Sequence, residues 1–213
     1  MHKVLITGAS SGLGEAVGKK LREQEINVIN LSRNKSTFTN VQLDLANDEF
    51  IQEATRTILK EHSDFDALIL NAGIMPLGLI GEMNFDIDEL FKTNITGSIK
   101  LVNNLLETMK TNQADLVLVG STAAFKGAPE HAAYCATKHA TQGLIAALQT
   151  ELRDEPVRVI GFHPGGFNSN LRGGIHKKGY MKPEELATLL IHLLQLPKNM
   201  EVSQIIINRK PLA

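Results

Sequence analysis

The stretch "TGASSGLG", Thr7–Gly14, follows a short apolar run at the start of this 213-residue chain and precedes an amphipathic segment. Its glycines are spaced G-x-x-x-G-x-G, whereas the widespread dinucleotide-binding fingerprint is G-x-G-x-x-G. A strand, a glycine turn and a helix in this order can cradle a pyrophosphate, because free N–H groups at the helix N-terminus face its oxygens. The glycines alone leave open a strand–helix turn without a ligand.

Each position of the turn has a physical interpretation. Gly8 permits a tight turn, Gly12 lets the backbone approach a phosphate, and Gly14 allows close packing of helix and strand. Ser10 and Ser11 either add hydroxyl donors to the phosphate site or cap the helix.

Strand-like and helix-like segments alternate along the whole chain. Runs rich in Val, Ile and Leu predict strands at 3–9, 26–32, 41–45, 65–73, 115–122, 157–164 and 203–208. Amphipathic segments predict helices at 13–24, 48–61, 86–111, 130–153 and 183–195. Asn47 or Asp48 caps the second helix, and Pro183 suits the first turn of the last. We therefore expect one α/β domain, residues 1–213, with a doubly wound, mostly parallel, Rossmann-like seven-stranded sheet and helices on both faces.

Composition narrows the class of protein. The formal net charge of −1 provides no global basic field for nucleic acid or an acidic membrane. No apolar run approaches the roughly 20 residues that span a bilayer, and the single Cys135 excludes an internal disulfide. The strand pattern begins at Lys3, so we expect no signal peptide. The scattered histidines predict no metal site. These features favour a cytoplasmic protein.

Further motifs accompany the glycine turn in a characteristic order. They are "NAG" at 71–73, Asn94 in "KTNITG", Ser121, "YCATK" with Tyr134 and Lys138, and "HPGGFNS" after the sixth predicted strand. In this order and over nearly its whole length, the chain resembles the short-chain dehydrogenase/reductase family, in its compact Tyr-x-x-x-Lys form.

The spacing of Tyr134 and Lys138 predicts an interacting pair. Four residues apart in a predicted helix, their side chains share one face. Tyrosine, with a reference pKa of about 10, is a poor base at neutral pH, and a nearby ammonium favours its phenolate. Ser121 would hydrogen-bond a substrate carbonyl or developing alkoxide. We expect Tyr134 to act as general acid or base while hydride moves between a nicotinamide cofactor and carbon.

The resemblance adds two roles near this pair. It implies that Lys138 also holds the nicotinamide ribose. It further implies that Asn94 holds a water connecting Lys138 to bulk solvent. The alternative for Asn94 is a polar residue on the helix surface without a functional role.

The segment "NLSRN" bears on the choice of cofactor. NAD-binding chains commonly carry an acid about 20 residues after the glycine turn, where this chain has Ser32 followed by Arg33. A guanidinium binds a 2′-phosphate, whereas a carboxylate repels it. Within the family, Ser-Arg resembles the NADP-preferring members. We expect NADP(H), with NAD(H) less favoured and a solvated Arg33 as the alternative.

The resemblance implies the remaining cofactor contacts. Asp44 either orders its loop or binds the adenine amino group, and Asn71 ties neighbouring strands together. Ser169 stands where the family often has Thr. The predicted cofactor-binding set is Gly8, Ser10, Ser11, Gly12, Leu13, Gly14, Ser32, Arg33, Asp44, Leu45, Asn71, Ala72, Gly73, Tyr134, Lys138, Pro164, Gly165 and Ser169.

Other features leave alternatives open. Segment 166–182 is predicted to be a mobile substrate loop because it is rich in glycine. Its Lys177 and Lys178 are expected to be solvated, or to attract an anionic substrate. His163 packs or touches the cofactor, and Cys135 is expected to pack away from the neighbouring tyrosine.

The resemblance also implies an oligomeric state and a reaction. Family members often associate through the helices predicted at 86–111 and 130–153, so we expect a homodimer or homotetramer. The predicted function is NADP(H)-dependent oxidation or reduction of a small alcohol or carbonyl substrate. The rivals are an NADP(H)-sensing module without turnover and a nucleotide-sugar epimerase or dehydratase.

Overall fold

The computed structural model describes residues 1–169, 171 and 178–210, and in these residues seven strands form one sheet. The strands are β1 Lys3–Thr7, β2 Asn27–Ser32, β3 Thr39–Gln42, β4 Ala67–Leu70, β5 Asp115–Val119, β6 Val159–Pro164 and β7 Gln204–Ile207. Their order is β3-β2-β1-β4-β5-β6-β7, and every neighbouring pair is parallel. The predicted doubly wound α/β domain is confirmed.

Helices cover both faces of this sheet. The α-helices of the described residues are α1 Gly12–Glu23, α2 Asp48–Glu61, α3 Ile87–Phe91, α4 Gly97–Asn112, α5 Ala132–Glu151 and α6 Pro183–Leu194. A π-turn, Lys92–Thr96, joins α3 to α4. Asn47 caps α2 by accepting a hydrogen bond from the Glu49 N–H (2.9 Å), and Pro183 opens α6, so both predictions are confirmed.

Each face of the sheet carries its own apolar core. Leu5 of β1 belongs to the core beneath α2, α4 and α5, whereas its neighbours Val4 and Ile6 belong to the core beneath α1 and α6. β1, β4, β5 and β6 are buried at every position, which explains why their sequences are mostly apolar and do not alternate. Within the described part of the chain, the helices lack the combined length and apolar character of a membrane span.

The third strand differs from its prediction. It was expected at 41–45, but it begins at Thr39 and ends at Gln42. Beyond it, the carboxylate of Asp44 accepts a hydrogen bond from the Ala46 N–H (2.9 Å) and turns the chain out of the sheet. Leu43 and Leu45 stay buried, and the Leu43 N–H still donates to the Ser32 carbonyl oxygen (3.2 Å), so their alternating pattern resembles a strand that continues past Gln42.

Gly97 and Gly143 provide a matched test of the packing of α4 against Leu45. A Cβ at Gly97 would overlap the backbone oxygen of Leu45, whereas a Cβ at Gly143 in α5 meets nothing within 4 Å. We expect Gly97→Ala to lower the free energy of unfolding by roughly 1–3 kcal/mol through overpacking. Gly143→Ala should raise it by about 0.5–1 kcal/mol through helix propensity. Urea denaturation measures both, and shifts of equal sign would contradict the contact.

Candidate active site

The glycine turn between β1 and α1 adopts the conformation that its sequence requires. Gly8 and Gly12 have φ angles of +74° and +57°, in the left-handed region that favours glycine. A Cβ at Gly14 would overlap the Gly8 carbonyl oxygen and lie 2.6 Å from the Asn71 amide nitrogen. Gly14 therefore packs the start of α1 against the turn and against the end of β4.

The two serines of the turn do not cap the helix. Ser11 occupies the N-cap position of α1, but its hydroxyl makes no capping hydrogen bond with the described residues. The Ser10 hydroxyl lies 3.3 Å from the hydroxyl of Ser32, at the end of β2. The capping alternative is therefore wrong, and the phosphate-donor alternative stays a prediction.

Asn71 joins the turn to β4. Its amide nitrogen donates to the carbonyl oxygens of Thr7 (3.1 Å) and Gly8 (3.3 Å). In return, the Thr7 hydroxyl oxygen accepts from the backbone N–H groups of Asn71 (2.9 Å) and Ala72 (3.0 Å). The predicted strand-tying role of Asn71 is confirmed. This junction lies between β1 and β4, where the strand order reverses and where doubly wound sheets bind their ligands.

A cavity of about 790 Å³ extends along the carboxyl ends of the strands from this junction. Its volume lies in the usual range of cofactor and ligand sites. The residues that line it include every predicted cofactor-binding and catalytic residue except Gly14 and Asn94, which lie behind the wall. The structure thus brings together residues that the sequence separates by more than 150 positions, from Gly8 to Ser169.

One end of the cavity is formed by the residues after β2 and β3, and we call it the β2 end. The Ser32 hydroxyl accepts from the Asn34 N–H (3.2 Å), and the guanidinium of Arg33 lies 3.9 Å from the Glu89 carboxylate. Arg33 and Glu89 are both about half exposed, so this pair is weak. Asp44 orders its loop, as one of its two predicted roles required, whereas its contact with adenine stays a prediction.

The opposite end, which we call the Tyr134 end, holds the predicted reacting groups. Tyr134 and Lys138 are each 6% exposed on one face of α5, and the Lys138 ammonium lies 5.8 Å from the centre of the Tyr134 ring. The ammonium also donates to the Val119 carbonyl oxygen (3.0 Å). Ser121 accepts from the Ala123 N–H through its hydroxyl oxygen (3.1 Å), which leaves its own O–H as a donor.

Asn94 is buried in the π-turn rather than exposed. Its side-chain oxygen accepts from the Ile74 N–H (2.8 Å), and its amide nitrogen donates to the Ile74 carbonyl (3.0 Å) and the Thr137 hydroxyl (3.1 Å). The surface alternative is therefore wrong. These bonds join the loop after β4 to α5 beside Lys138, and the water-holding role of Asn94 stays a prediction.

Residues 2–179 match the model of one protein family, described as short chain dehydrogenase. The chain belongs to this short-chain dehydrogenase family. An uncharacterized oxidoreductase of Staphylococcus saprophyticus is 25% identical to the chain over 222 residues, and the match covers 94% of each of the two proteins.

Solved structures show the same short-chain dehydrogenase fold. The alcohol dehydrogenase of the archaeon Thermococcus sibiricus, in complex with 5-hydroxy-NADP, has a TM-score of 0.90 at 24% identity, with 100% of both chains covered. A 3-ketoacyl-(acyl-carrier-protein) reductase of Brucella melitensis, in complex with NADH, has a TM-score of 0.88 at 23% identity, with 97% of this chain and 96% of the other covered. Because one neighbour binds a derivative of NADP and the other binds NADH, the comparison does not distinguish NADP from NAD as the cofactor.

Several residues of this short-chain dehydrogenase cavity were missed by sequence reasoning. Lys126 and His131 belong to the loop between Ser121 and Tyr134, and both line the Tyr134 end. Their position between two reacting groups was the signal that could have identified them. Cys135, expected to point away, is buried but also contributes to the wall.

Tyr180 and Arg209 also line the cavity, without any motif in the sequence to mark them. Contacts between distant parts of the chain place them there: β7 pairs with β6 just before Arg209, and the residue after Tyr180 pairs with Phe167. Phe167 forms a bridge with Met181, and the Asn168 N–H donates to the Met181 carbonyl oxygen (3.0 Å). Of the predicted mobile loop 166–182, residues 170 and 172–177, including Lys177, lie outside the described residues. Its mobility stays a prediction.

His163 packs behind the site and does not line the cavity. Its side chain is fully buried on β6, with its ring edge-on to Phe125 at 5.0 Å between centroids. Burial lowers its pKa, and the nearby charge of Lys138 lowers it further. The packing alternative is therefore confirmed, and this ring is neutral at physiological pH.

Burial of the Lys138 ammonium predicts a pH-dependent stability. Burial lowers the pKa of Lys138 from 10.5 to about 8, so the full cost of the buried charge is present below pH 8. Above pH 8 the folded lysine is neutral while the unfolded one remains protonated, so the stability of the wild type rises with pH up to about 10.5. Lys138→Met removes this dependence.

Urea denaturation of both proteins at pH 7 and pH 10 measures the effect. The stability of the wild type relative to Lys138→Met should increase by about 2.5 kcal/mol over this interval, because the unfolded lysine is still mostly protonated at pH 10. Parallel pH profiles of the two proteins would contradict the shift.

Proposed function

We propose that this short-chain dehydrogenase transfers a hydride between NADP(H) and a carbonyl/alcohol substrate, with Tyr134 as general acid/base. The observation that carries the proposal is the arrangement of one cavity. Ser121, Tyr134 and Lys138 line one end of it, and the glycine turn lines its wall toward the other.

The described residues fit a nicotinamide dinucleotide. Gly12 presents no side chain to the cavity, and a Cβ placed there would lie 3.6 Å from the Cβ of Ser169 on the opposite wall. The turn and the hydroxyl of Ser11 would hold the pyrophosphate, while Pro164, Gly165 and Ser169 would hold the nicotinamide half. When bound, the nicotinamide ring supplies or accepts the hydride.

The protein side chains manage the proton and the charge. In reduction, Ser121 donates a hydrogen bond to the carbonyl oxygen, and Tyr134 transfers its hydroxyl proton to the same oxygen. In oxidation, Tyr134 removes that proton. The Lys138 ammonium stabilises the resulting phenolate, and burial from water strengthens this attraction. Asn94, which bonds Ile74 and Thr137 beside Lys138, would hold a water that connects Lys138 to bulk solvent.

A preference for NADP(H) follows from the chemistry of the β2 end. Ser32 stands where a carboxylate would repel a 2′-phosphate, and its hydroxyl and that of Ser10 are donors to such a group. Arg33 has only the weak Glu89 pair to break before it binds a phosphate bidentately. A homodimer or homotetramer and a cytoplasmic location also stay predictions.

Removal of the Tyr134 hydroxyl tests the chemistry. We expect Tyr134→Phe to lower the rate of NADPH oxidation with carbonyl compounds by about 10²–10⁴-fold, because the general acid is lost. NADPH binding, measured by fluorescence titration, should be retained and serves as the control for folding. Equal turnover in both proteins would refute the assigned role.

The same assay separates the rival functions. NADPH binding without turnover of any carbonyl compound supports a sensing module. Conversion of a nucleotide sugar without net change in NADPH absorbance supports an epimerase or dehydratase.

Arg33→Ala tests the cofactor preference. We expect it to weaken NADPH binding by about tenfold or more and to leave NADH binding nearly unchanged, because a charge-assisted contact to the 2′-phosphate is lost. Lys35→Ala is the matched control, since it removes a positive charge two residues away that does not line the cavity. Equal losses for both cofactors in Arg33→Ala would argue against a 2′-phosphate site.

A further inference from the structure

Charge is unevenly distributed along the cavity. The carboxylates of its described wall, those of Asp44, Asp86 and Glu89, belong to the β2 end. Glu89 lies 3.9 Å from Arg33, and the Asp86 carboxylate accepts from the Glu89 N–H (3.0 Å) at the start of α3. Asp44 orders the loop that follows β3.

The Tyr134 end has the opposite character. Lys126, Lys138 and Arg209 line it, together with the imidazole of His131, and the described wall places no carboxylate beside them. Lys138 is already assigned to the reacting tyrosine. Lys126 and Arg209 form no ion pair with any described residue, so their charges are not neutralised by the protein. Unbalanced positive charge in a concave site attracts anionic ligands.

The backbone of Arg209 lies close to the reacting groups. β7 pairs with β6, and the Gly165 N–H donates to the Ile207 carbonyl (2.7 Å). A Cβ at Gly165 would lie 3.3 Å from the Arg209 nitrogen on one side and 3.6 Å from the Thr122 methyl carbon on the other. Because Thr122 directly follows Ser121, Arg209 reaches the cavity beside the predicted carbonyl-binding group.

An aromatic ring positions the guanidinium of Arg209. The guanidinium carbon lies 4.8 Å from the centre of the Tyr180 ring, and this ring in turn packs where a Cβ at Gly166 would contact it at 3.2 Å. A guanidinium held over a ring keeps its edge available for a bidentate contact with a carboxylate or phosphate.

Lys126 approaches the same end from the loop before α5. The Cys135 thiol donates to the Lys126 carbonyl oxygen (3.8 Å), which holds the lysine backbone against the residue that follows Tyr134 in α5. The two free cations therefore enter the cavity from separate elements, Lys126 from the loop before α5 and Arg209 from the segment after β7.

We infer that the substrate is an anionic carbonyl or alcohol compound whose carboxylate or phosphate binds Arg209, with Lys126 as the second cation. This substrate class rests on the proposed function, because it assumes that the reacting carbonyl lies at Ser121 and Tyr134. The anionic group stays outside the reaction and orients the carbonyl toward both residues.

Matched substrate pairs test the inference. NADPH-dependent reduction of levulinate is compared with that of its methyl ester, and reduction of dihydroxyacetone phosphate with that of dihydroxyacetone. In at least one pair, we expect the anionic member to have a KM lower by about tenfold or more. Arg209→Gln should abolish this advantage and leave the KM of the neutral member unchanged. Lys210→Gln removes a neighbouring charge outside the cavity wall and should preserve the advantage.

A binding measurement keeps the inference separate from turnover. Isothermal titration calorimetry is carried out on the NADP⁺-saturated protein with pentanoate, with methyl phosphate and with neutral pentanamide. We expect at least one of the two anions to bind, and Arg209→Gln or Lys126→Gln to weaken that binding.

Turnover of the neutral and charged substrates with equal KM in both pairs overturns the anionic class and leaves the proposed function intact. No turnover of any substrate, with anion binding that depends on Arg209, overturns the proposed function alone. Absence of anion binding in calorimetry overturns the inference.

Discussion

The hydrogen bonds between the Asn71 side chain and the backbone of Thr7 and Gly8 are the constraint on which the site depends. They hold the glycine turn against the end of β4 and thereby set the gap between β1 and β4. A side chain at Gly14 would occupy the place of this amide, so the third glycine is as necessary to the junction as the asparagine itself. The phosphate-binding part of the cavity is thus formed by two segments that are more than 60 residues apart in the chain.

The fold also separates the part of the cavity proposed to bind the cofactor from the part that holds the cations. Strands β1 and β4 end in the glycine turn and in the segment Asn71–Gly73, whose small or neutral polar residues suit a large ligand that contacts the backbone. Strands β5, β6 and β7 end beside buried or stacked cations. The strand order places β2 and β3, which are followed by Arg33 and Asp44, on one side of the β1–β4 junction, and β5, β6 and β7 on the other. The electrostatic division of the cavity therefore follows from the topology.

The sequence predicted the elements and the reacting residues for a physical reason. Strands buried on both faces need uninterrupted apolar runs, and a helical spacing of four places Tyr134 and Lys138 together regardless of their surroundings. The end of β3 was predicted wrongly because Leu43 and Leu45 are as buried as strand residues although the strand ends at Gln42. The π-turn around Asn94 was invisible, since an extra residue in a helical turn leaves no compositional mark.

The cations of the Tyr134 end illustrate a more general limit of prediction from the sequence. Arg209 is placed by the register of β7 on β6 and by the position of Tyr180, and neither can be read from local patterns. By contrast, Gly8, Gly12 and Gly14 are constrained by their own backbone and immediate packing, so their spacing alone carried the prediction. Residues fixed by local geometry are predictable from the sequence, whereas those fixed by long-range register are not.

The bridge between Phe167 and Met181 has an evolutionary consequence. It joins the chain just after β6 directly to the chain just before α6. The entropy of closing the chain between these two points changes slowly with its length. Insertions, deletions and substitutions can therefore accumulate there without moving β6 or α6. The bridge therefore allows the length of the chain between Asn168 and Met181 to change while the end of β6 and the start of α6 keep their relative positions.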